Sequence, residues 1–217
     1  MNTRCAPLHI TIVSDIVCPW CYIGLQRLDA ALAMYRAQHP DAPEPLLRWE
    51  PFQLNPDFDR AGMERGAYEQ RKFGAQRDAI RARMLEAAAS AGVTIDFERI
   101  VRQPNTLGLH ALVEAAHEIG AQTAMARRLF EGFFAAGVDM CDSQAVAAWV
   151  KDLGLVASQI EACLTSGSAQ QLAAAARDAE WRAQGVSGVP LFVFNQRWAV
   201  SGAQAPEALL QAMNTPI

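Results

Sequence analysis

The chain has 217 residues, which suits one domain interrupted by a large insertion, and a net charge of −4. Hydrophobic residues make up 51% and charged residues 19%, enough apolar side chain for a packed core, which excludes an intrinsically disordered protein. The negative charge argues against nucleic acid as a partner, because proteins that bind phosphate backbones are usually basic. No run of about 18 apolar residues occurs, so we expect no membrane contact.

The N-terminal sequence does not predict a secretory signal. Arg4 is the one basic residue before Pro7, and polar residues interrupt the apolar stretch over residues 8–17. No small-residue cleavage site follows this stretch. We therefore expect a cytoplasmic protein.

The first 51 residues have the pattern of a β-α-β unit. Residues 8–13 are apolar and β-branched, which predicts a buried strand, and residues 47–51 alternate as a second strand does. Between them, residues 20–38 place leucines at spacings of three and four, which predicts a helix. A unit of this length predicts a parallel strand pair with a right-handed crossover.

Between residues 63 and 166 the periodicity is helical almost throughout. An apolar face from Phe73 through Ala87 predicts one helix that ends near Gly92, and residues 93–97 then alternate as an extended segment does. Further helices are predicted after Asn105 and Thr106, around an apolar stripe at 126–134, from Asp142 or Ser143 to near Gly154, and over 157–164.

The C-terminal residues return to an α/β pattern. An alanine-rich helix is predicted over 168–184, a strand over 191–194, a tight turn at Asn195 and Gln196, a returning strand with Trp198 and Val200, and a helix over 206–213. Because both ends are α/β and the middle is helical, we predict one α/β domain formed by residues 1–60 and 167–217. Residues 61–166 form the all-helical domain inserted into it.

Two cysteines spaced by two residues, Cys18 and Cys21, lie where the first strand meets the first helix. A disulfide needs Cα atoms roughly 4.4–6.8 Å apart, which one helical turn supplies. Cys18 is predicted to cap the helix with Pro19 as its first residue, so free N–H groups and the helix dipole stabilise a Cys18 thiolate. We predict that Cys18, the more exposed thiol, attacks and that Cys21, one turn deeper, resolves the mixed disulfide.

A Cys-x-x-Cys pair is also half of a zinc site, which is the alternative interpretation of this motif. A zinc site needs a second pair of ligands, but Cys141 and Cys163 are far apart and the four histidines form no such pair. We therefore expect redox chemistry without a metal or organic cofactor. Cys141 and Cys163 are interpreted as small buried or incidental side chains, and Cys5 as such a residue or as one that forms mixed disulfides.

Residues next to the cysteines carry further hypotheses. Trp20 lies between the thiols and must be partly exposed, but it lacks the charge with which a histidine would stabilise a Cys18 thiolate. Asp15 either accepts a proton near the pair or only closes the strand and binds local N–H groups. The Val189-Pro190 step before an apolar strand is either a cis bond or an ordinary proline at a strand edge.

The order of these motifs resembles the thioredoxin-fold DsbA family, and within it the intracellular FrnE-like branch of dithiol–disulfide oxidoreductases and isomerases. The matching stretches span nearly the whole chain: 15–24 (DIVCPWCYIG), 51–57 (PFQLNPD), 104–110 (PNTLGLH), 185–192 (GVSGVPLF) and 201–206 (SGAQAP). The resemblance implies a thioredoxin fold with a helical domain between its halves. It also implies disulfide exchange with protein or small thiol substrates, glutathione being one possible co-substrate.

The resemblance assigns substrate-binding residues as well. It implies that Pro190 is cis and packs against the disulfide, and that the Val189 backbone binds an extended substrate as an added strand. It places four further side chains near the thiols: Phe52, Gln53, Asn105 and His110. Relatives often have a glycine after the turn asparagine, whereas this chain has Gln196. A type I′ turn would force Gln196 to positive φ, so we expect a different turn.

Two other functions are compatible with this pattern. The same fold hosts glutathione-dependent isomerases and kappa-class-like glutathione transferases, in which the nucleophilic sulfur belongs to bound glutathione. The presence of both Cys18 and Cys21 argues against that alternative. A chaperone or adaptor that uses the groove without catalysis is the third hypothesis. The sequence specifies no oligomeric state.

Overall fold

The computed structural model describes residues 6–215, in which six strands and nine α-helices form. The strands are β1 (His9–Ser14), β2 (Leu46–Pro51), β3 (Met63–Glu64), β4 (Arg102–Gln103), β5 (Leu191–Phe194) and β6 (Trp198–Ser201). The helices are α1 (Pro19–Gln38), α2 (Arg65–Phe73), α3 (Arg77–Ser90), α4 (Leu107–Ala115), α5 (Gln122–Glu131), α6 (Ser143–Val150), α7 (Ala157–Leu164), α8 (Ala169–Ala183) and α9 (Pro206–Met213). Within residues 6–215, no helix combines the length and the apolar character that a membrane span requires.

The main sheet has the strand order β2-β1-β5-β6. β1 runs parallel to β2 and antiparallel to β5, and β5 and β6 form an antiparallel hairpin. Ile12 of β1 pairs with Trp49 on one side and with Phe192 on the other, so β1 is a central strand. The predicted β-α-β unit is confirmed, with α1 as the connection between parallel strands.

An aromatic cluster joins α1 to the helices that follow β2. The rings of Tyr22 and Phe130 stack with centroids 5.3 Å apart, and Phe134 stacks on Tyr22 at 5.9 Å. Such ring pairs contribute about 0.5–1.5 kcal/mol each beyond the burial of their area. The predicted apolar stripe at 126–134 is therefore core, and it fixes the helix that begins at the cysteines.

The segment after β3 differs from the sequence-based expectation. The single helix predicted to end near Gly92 is wrong, because Gly74 has a φ of 52° and separates α2 from α3. A left-handed residue cannot continue an α-helix, and residues 74–76 form a 3-10 turn instead. Val93, Ile95 and Phe97 are buried as their alternation predicts, but they form no strand.

The segment between the two halves of the main sheet is mostly helical, with one addition. Met63 pairs with Gln103 and Glu64 with Arg102, so β3 and β4 form a small antiparallel ladder. Strands of two residues show no alternation, which is why the sequence does not reveal them. The strands of the main sheet come from both ends of the chain, and the domain boundaries near residues 60 and 166 stay a prediction.

The β5–β6 hairpin corrects another expectation. Asn195 and Gln196 have φ values of 49° and 58°, so both take the positive φ of a type I′ turn. The prediction of a different turn is wrong because the twist of the strands favours this turn and β1 holds it in place. The Asn195 side chain accepts a hydrogen bond from the His9 N–H at 3.0 Å, and the Asn195 N–H donates to the His9 carbonyl at 2.8 Å.

Candidate active site

Cys18 and Cys21 lie at the N-terminus of α1. Cys18 is the N-cap residue with extended backbone (φ −91°, ψ 112°), and Pro19 begins the helix, where its missing N–H costs nothing. The Cys18 N–H donates to the Asp15 carbonyl at 3.0 Å, which closes a tight turn between β1 and α1. Both cysteines are free thiols. The chain therefore holds two thiols one helical turn apart at a positive helix end.

Burial does not distinguish the two thiols strongly. Cys18 is 4% exposed and Cys21 is 2% exposed. Cys18 is therefore the more exposed thiol, as predicted, but the difference is too small to explain a difference in reactivity. Trp20 between them is half-buried, as its position predicts. The difference between the thiols has to come from their protonation.

The pKa values of the two thiols are displaced in opposite directions. The Cys21 thiol donates a hydrogen bond that lowers the pKa of Cys18 most, and the backbone N–H groups of Cys21 and Trp20 lower it further against the effects of burial and of the Asp15 charge. Burial, followed by the hydrogen bond and charge of Cys18, raises the pKa of Cys21 well above its ordinary value. The negative charge thus belongs on Cys18 and the proton on Cys21.

The loop before β5 contacts the thiols. The Val189-Pro190 peptide bond is cis, as the resemblance implies, and the Cys18 thiol donates to the Val189 carbonyl with 3.6 Å between sulfur and oxygen. Gly24 of α1 faces this loop, and a Cβ atom there would lie 3.1 Å from Pro190 Cγ and 3.2 Å from the Phe192 ring. The absence of a side chain at Gly24 is what lets the loop approach the helix.

Asp15 binds a local N–H group and also lies near His110 and the thiols. Its side chain is buried, and Oδ2 accepts a hydrogen bond from the Leu54 N–H at 2.7 Å, which is the local binding expected of a strand end. Oδ1 lies 3.3 Å from His110 Nε2, and the Asp15 charge raises the pKa of Cys18. Asp15 is thus close enough to influence the thiols, and its role as a proton acceptor stays a prediction.

The structure brings the other predicted residues together around the loop after β2. The Phe52 N–H donates to the Ser14 carbonyl at 3.0 Å, and Gln53 Nε2 donates to Asn105 Oδ1 at 3.2 Å. The same Asn105 oxygen accepts from the Leu107 N–H at 2.9 Å and caps α4. Phe52 and Gln53 are both buried, and their role in substrate binding stays a prediction.

Sequence reasoning missed two residues of α8 that hold this loop. Asp178 Oδ1 accepts from the Gln53 N–H at 2.9 Å, and Asp178 Oδ2 accepts from Arg182 Nε at 2.9 Å. The Arg182 guanidinium also lies 4.2 Å from the centre of the Phe52 ring and donates to the Gln53 carbonyl. The spacing of four residues predicts the ion pair on the helix, but it does not show which loop the pair binds.

Known proteins show the same architecture. A model of DSBA-like thioredoxin domains matches residues 9–214. The chain belongs to this family. No curated protein gives a match with this chain.

Several solved structures are similar to this DSBA-like chain. A probable DsbA oxidoreductase from Streptomyces coelicolor is 27% identical with a TM-score of 0.84, and the match covers 97% of this chain and 92% of that one. The cytosolic disulfide reductase DsbM from Pseudomonas aeruginosa, solved with GSH, is 20% identical with a TM-score of 0.62, covering 95% and 98%. A 2-hydroxychromene-2-carboxylate isomerase is 17% identical with a TM-score of 0.69, covering 94% of both chains. At 20% and 17% identity, the last two structures show that they share the fold of this chain.

Cys141 and Cys163 of this DSBA-like chain are not activated as Cys18 is. Burial raises the pKa of Cys141 and that of Cys163 to about 11 each. The Cys163 thiol donates to the Ala111 carbonyl at 3.4 Å, and Cys5 lies outside the described residues. Among residues 6–215 no cluster of side chains is suited to hold a metal ion.

These protonation states predict selective alkylation. At pH 7 the Cys18 thiol is ionised to a greater extent than an ordinary thiol, whereas Cys21, Cys141 and Cys163 keep their protons. In a reduced Cys5→Ser protein, iodoacetamide should modify Cys18 first, with a rate that rises with pH only until the pKa of Cys18 is passed. Peptide mass spectrometry over a pH series measures this order. Equal labelling of Cys18 and Cys163 would contradict it.

Proposed function

We propose that this DSBA-like protein catalyses thiol–disulfide exchange through Cys18 and Cys21. The observation that carries the proposal is the placement of two free thiols at the N-terminus of α1, with the Cys18 sulfur 3.6 Å from the Val189 carbonyl oxygen. The opposite displacement of their pKa values supports it. An attacking thiol must be ionised, and a resolving thiol is best kept protonated until the mixed disulfide exists.

The reaction proceeds in two displacements. The Cys18 thiolate attacks one sulfur of a substrate disulfide, forms a mixed disulfide and releases the first substrate thiolate, which takes a proton from solvent. Cys21 then loses its proton and attacks the Cys18 sulfur, which forms the Cys18–Cys21 disulfide and releases the second substrate thiolate. Two electrons pass from the protein pair to the substrate. The reverse sequence oxidises a dithiol substrate.

The backbone next to Cys18 supplies a place for the substrate. The Val189 carbonyl oxygen lies 3.6 Å from the Cys18 sulfur, so this backbone is beside the attacking atom. An extended substrate pairs with Val189 as an added strand, while Pro190 packs at the thiols and Trp20 offers an apolar surface beside them. Main-chain pairing demands no particular side chain, which suits both protein and small thiol substrates.

A reducing compartment suits this chemistry. We place the protein in the cytoplasm, with glutathione as a thiol co-substrate and without a metal or organic cofactor. The structural likeness to a disulfide reductase that is cytosolic and was solved with GSH supports this assignment. At a cytosolic poise of roughly −220 to −320 mV, a pair with a potential near about −270 mV acts mainly as a reductase or isomerase.

A second candidate is a glutathione-dependent isomerase or a kappa-class-like glutathione transferase. The likeness of fold to a 2-hydroxychromene-2-carboxylate isomerase favours it. In that reaction class the nucleophilic sulfur belongs to glutathione, so the protein needs no redox pair. The two thiols with separated charge and proton favour exchange instead.

Equilibration with defined ratios of reduced and oxidised glutathione distinguishes the two candidates. Exchange predicts a reversible two-electron transition of the Cys18–Cys21 pair, measured as the disulfide fraction by mass spectrometry after acid quenching. Cys18→Ser is the control and should show no such transition. Saturable glutathione binding that survives loss of both cysteines, without any transition, would replace this proposal with the isomerase or transferase. The midpoint gives the direction of electron flow in the cell.

A further inference from the structure

Three buried polar atoms near the resolving thiol have no hydrogen-bond partner among residues 6–215. They are Ser14 Oγ, Asp15 Oδ1 and His110 Nε2. The Ser14 hydroxyl lies close enough to the Cys21 sulfur to lower the pKa of that thiol, but it forms no well-directed hydrogen bond. Asp15 Oδ1 and His110 Nε2 lie 3.3 Å apart but are not aligned for a hydrogen bond. Buried polar atoms are nearly always paired, so these two atoms and Ser14 Oγ require a further partner.

A small cavity lies between two of these residues. Ser14 and His110 both line it, together with the carboxylate-bearing residues Glu50 and Glu114, and its volume is about 10 Å³. That is close to the smallest space that holds a single water molecule, and its walls offer the polar partners that a buried water needs. The side chain of Glu114 is 32% exposed, so this residue borders both the cavity and the surface.

The charged groups around His110 are committed to other partners. Glu50 binds Arg48 and Arg177, Glu114 binds Arg48, and on α8 Asp178 binds Arg182. On α5, Arg127 and Arg128 bind Asp29 and Asp152, and on α7 the Cys163 thiol binds the Ala111 carbonyl. Of the titratable groups on these elements, His110 is the base with an unpaired nitrogen at the cavity, and Asp15 is the carboxylate that faces this nitrogen at 3.3 Å.

We propose that Ser14, one water in this cavity and His110 form a proton relay that deprotonates Cys21 when it attacks the mixed disulfide. The proposal rests on the exchange reaction proposed above. The Cys21 proton passes to the Ser14 hydroxyl, which gives its own proton through the water to His110 Nε2. The Cys21 sulfur bonds to the Cys18 sulfur, the Cys18–substrate bond breaks, and the substrate leaves as a thiolate. Asp15 stabilises the imidazolium, which then returns its proton to solvent.

The relay addresses a difficulty in the reaction. Burial holds the proton on Cys21, yet the second displacement needs its thiolate. Bulk solvent does not reach this sulfur, which is 2% exposed, so a base inside the protein is needed near neutral pH. As the pH rises towards the pKa of Cys21, the thiolate forms without the relay. The contribution of Ser14 and His110 must therefore shrink as pH increases.

Single-turnover kinetics with oxidised glutathione test the relay. Rapid acid quenching and mass spectrometry separate formation of the Cys18 mixed disulfide from release of the second thiol by Cys21. In His110→Gln and Ser14→Ala, release should slow on the order of 100-fold at pH 7, while mixed-disulfide formation should change far less. The difference in release rate between each variant and the original chain should shrink at high pH. Ser14→Thr, which keeps the hydroxyl, should resemble the original chain, as should His117→Asn at an exposed position after α4.

Two results would overturn the relay and leave exchange intact. One is release in His110→Gln at the original rate, and the other is a slowing that is equal at every pH, which indicates a merely structural effect. A lack of Cys21-dependent release in the unmodified chain would instead refute the exchange reaction itself. Thermal unfolding of each variant identifies one that fails to fold. In that case the pair Ser14→Ala and Ser14→Thr decides, because the two variants differ in the hydroxyl that the relay needs.

Discussion

Cys18→Ser should abolish disulfide reduction, lowering turnover by several orders of magnitude, as removal of an attacking nucleophile does in other enzymes. A serine hydroxyl is not ionised near neutral pH, and the contacts from Cys21 and Trp20 that lower the pKa of Cys18 cannot change this. Reduction of a disulfide-bonded test protein by the pre-reduced enzyme measures the effect. Cys141→Ser is a matched control, because that thiol has a pKa of about 11 and takes no part in the reaction.

Cys21→Ser should stop the same reaction half-way. The Cys18 thiolate still attacks, but no thiol follows, so a mixed disulfide of one substrate per chain should accumulate and survive denaturation. Cys21→Ala should in addition slow the first step at pH 7, because the hydrogen bond that lowers the pKa of Cys18 most is lost. Mass spectrometry of the trapped species provides the measurement. Persistent turnover in Cys18→Ser, or failure of Cys21→Ser to trap a substrate, would contradict the assigned order of attack.

Removal of the Glu69 carboxylate should lower the free energy of unfolding by about 3–5 kcal/mol, the usual cost of leaving a buried charge unpaired. Glu69 Oε1 accepts from Arg65 Nε at 2.9 Å, and its other oxygen lies 3.1 Å from Arg81. Burial lowers the pKa of Arg65, which shows that this cation depends on its partner. Its guanidinium also lies against the Tyr68 and Phe97 rings, so it cannot turn to solvent without losing packing.

Glu69→Ala can be compared with Glu98→Ala by denaturant unfolding. Glu98 forms an ion pair of 2.7 Å with Arg81, but its side chain is 83% exposed. Exposed pairs contribute at most about 1 kcal/mol, so Glu98→Ala should be nearly neutral. The Glu69 variant should also melt about 10 °C lower, since a chain of this size loses roughly 2–4 °C per kcal/mol. Equal stability of the two variants would show that the buried ion pair contributes little.

Elements with a strong local pattern could be predicted from the sequence. The helix over 157–164, the strand over 191–194 and the helix over 206–213 have the predicted bounds. The break at Gly74 was missed because glycine tolerates a helix as well as a turn, and its choice depends on the packing of α2 and α3. At Gln196 the sequence argued against a positive φ, which a side chain disfavours. The twist of the strands and the contacts with β1 nevertheless impose it.

The candidate site likewise has a part that the sequence predicts and a part that it does not. Cys18, Pro19 and Cys21 are neighbours in sequence, so their geometry follows from the start of a helix. The contacts of Asp15 with His110 and of Gln53 with Asp178 join residues that are far apart in the chain. No spacing encodes such contacts, because they arise only when α4 and α8 pack beside the sheet. Sequence patterns therefore predicted the candidate thiols but not the distant residues that contact one another around them.

The contact between Cys18 and Val189 joins residues 171 positions apart, and this has a consequence for the newly made protein. The ribosome releases Cys18 and Cys21 well before the strand that completes their surroundings. At roughly 5–20 residues per second, the interval is about 10–30 s. During that time both thiols are open to any oxidant and to pairing with the later cysteines. An oxidant present during synthesis therefore meets these thiols before the fold covers them.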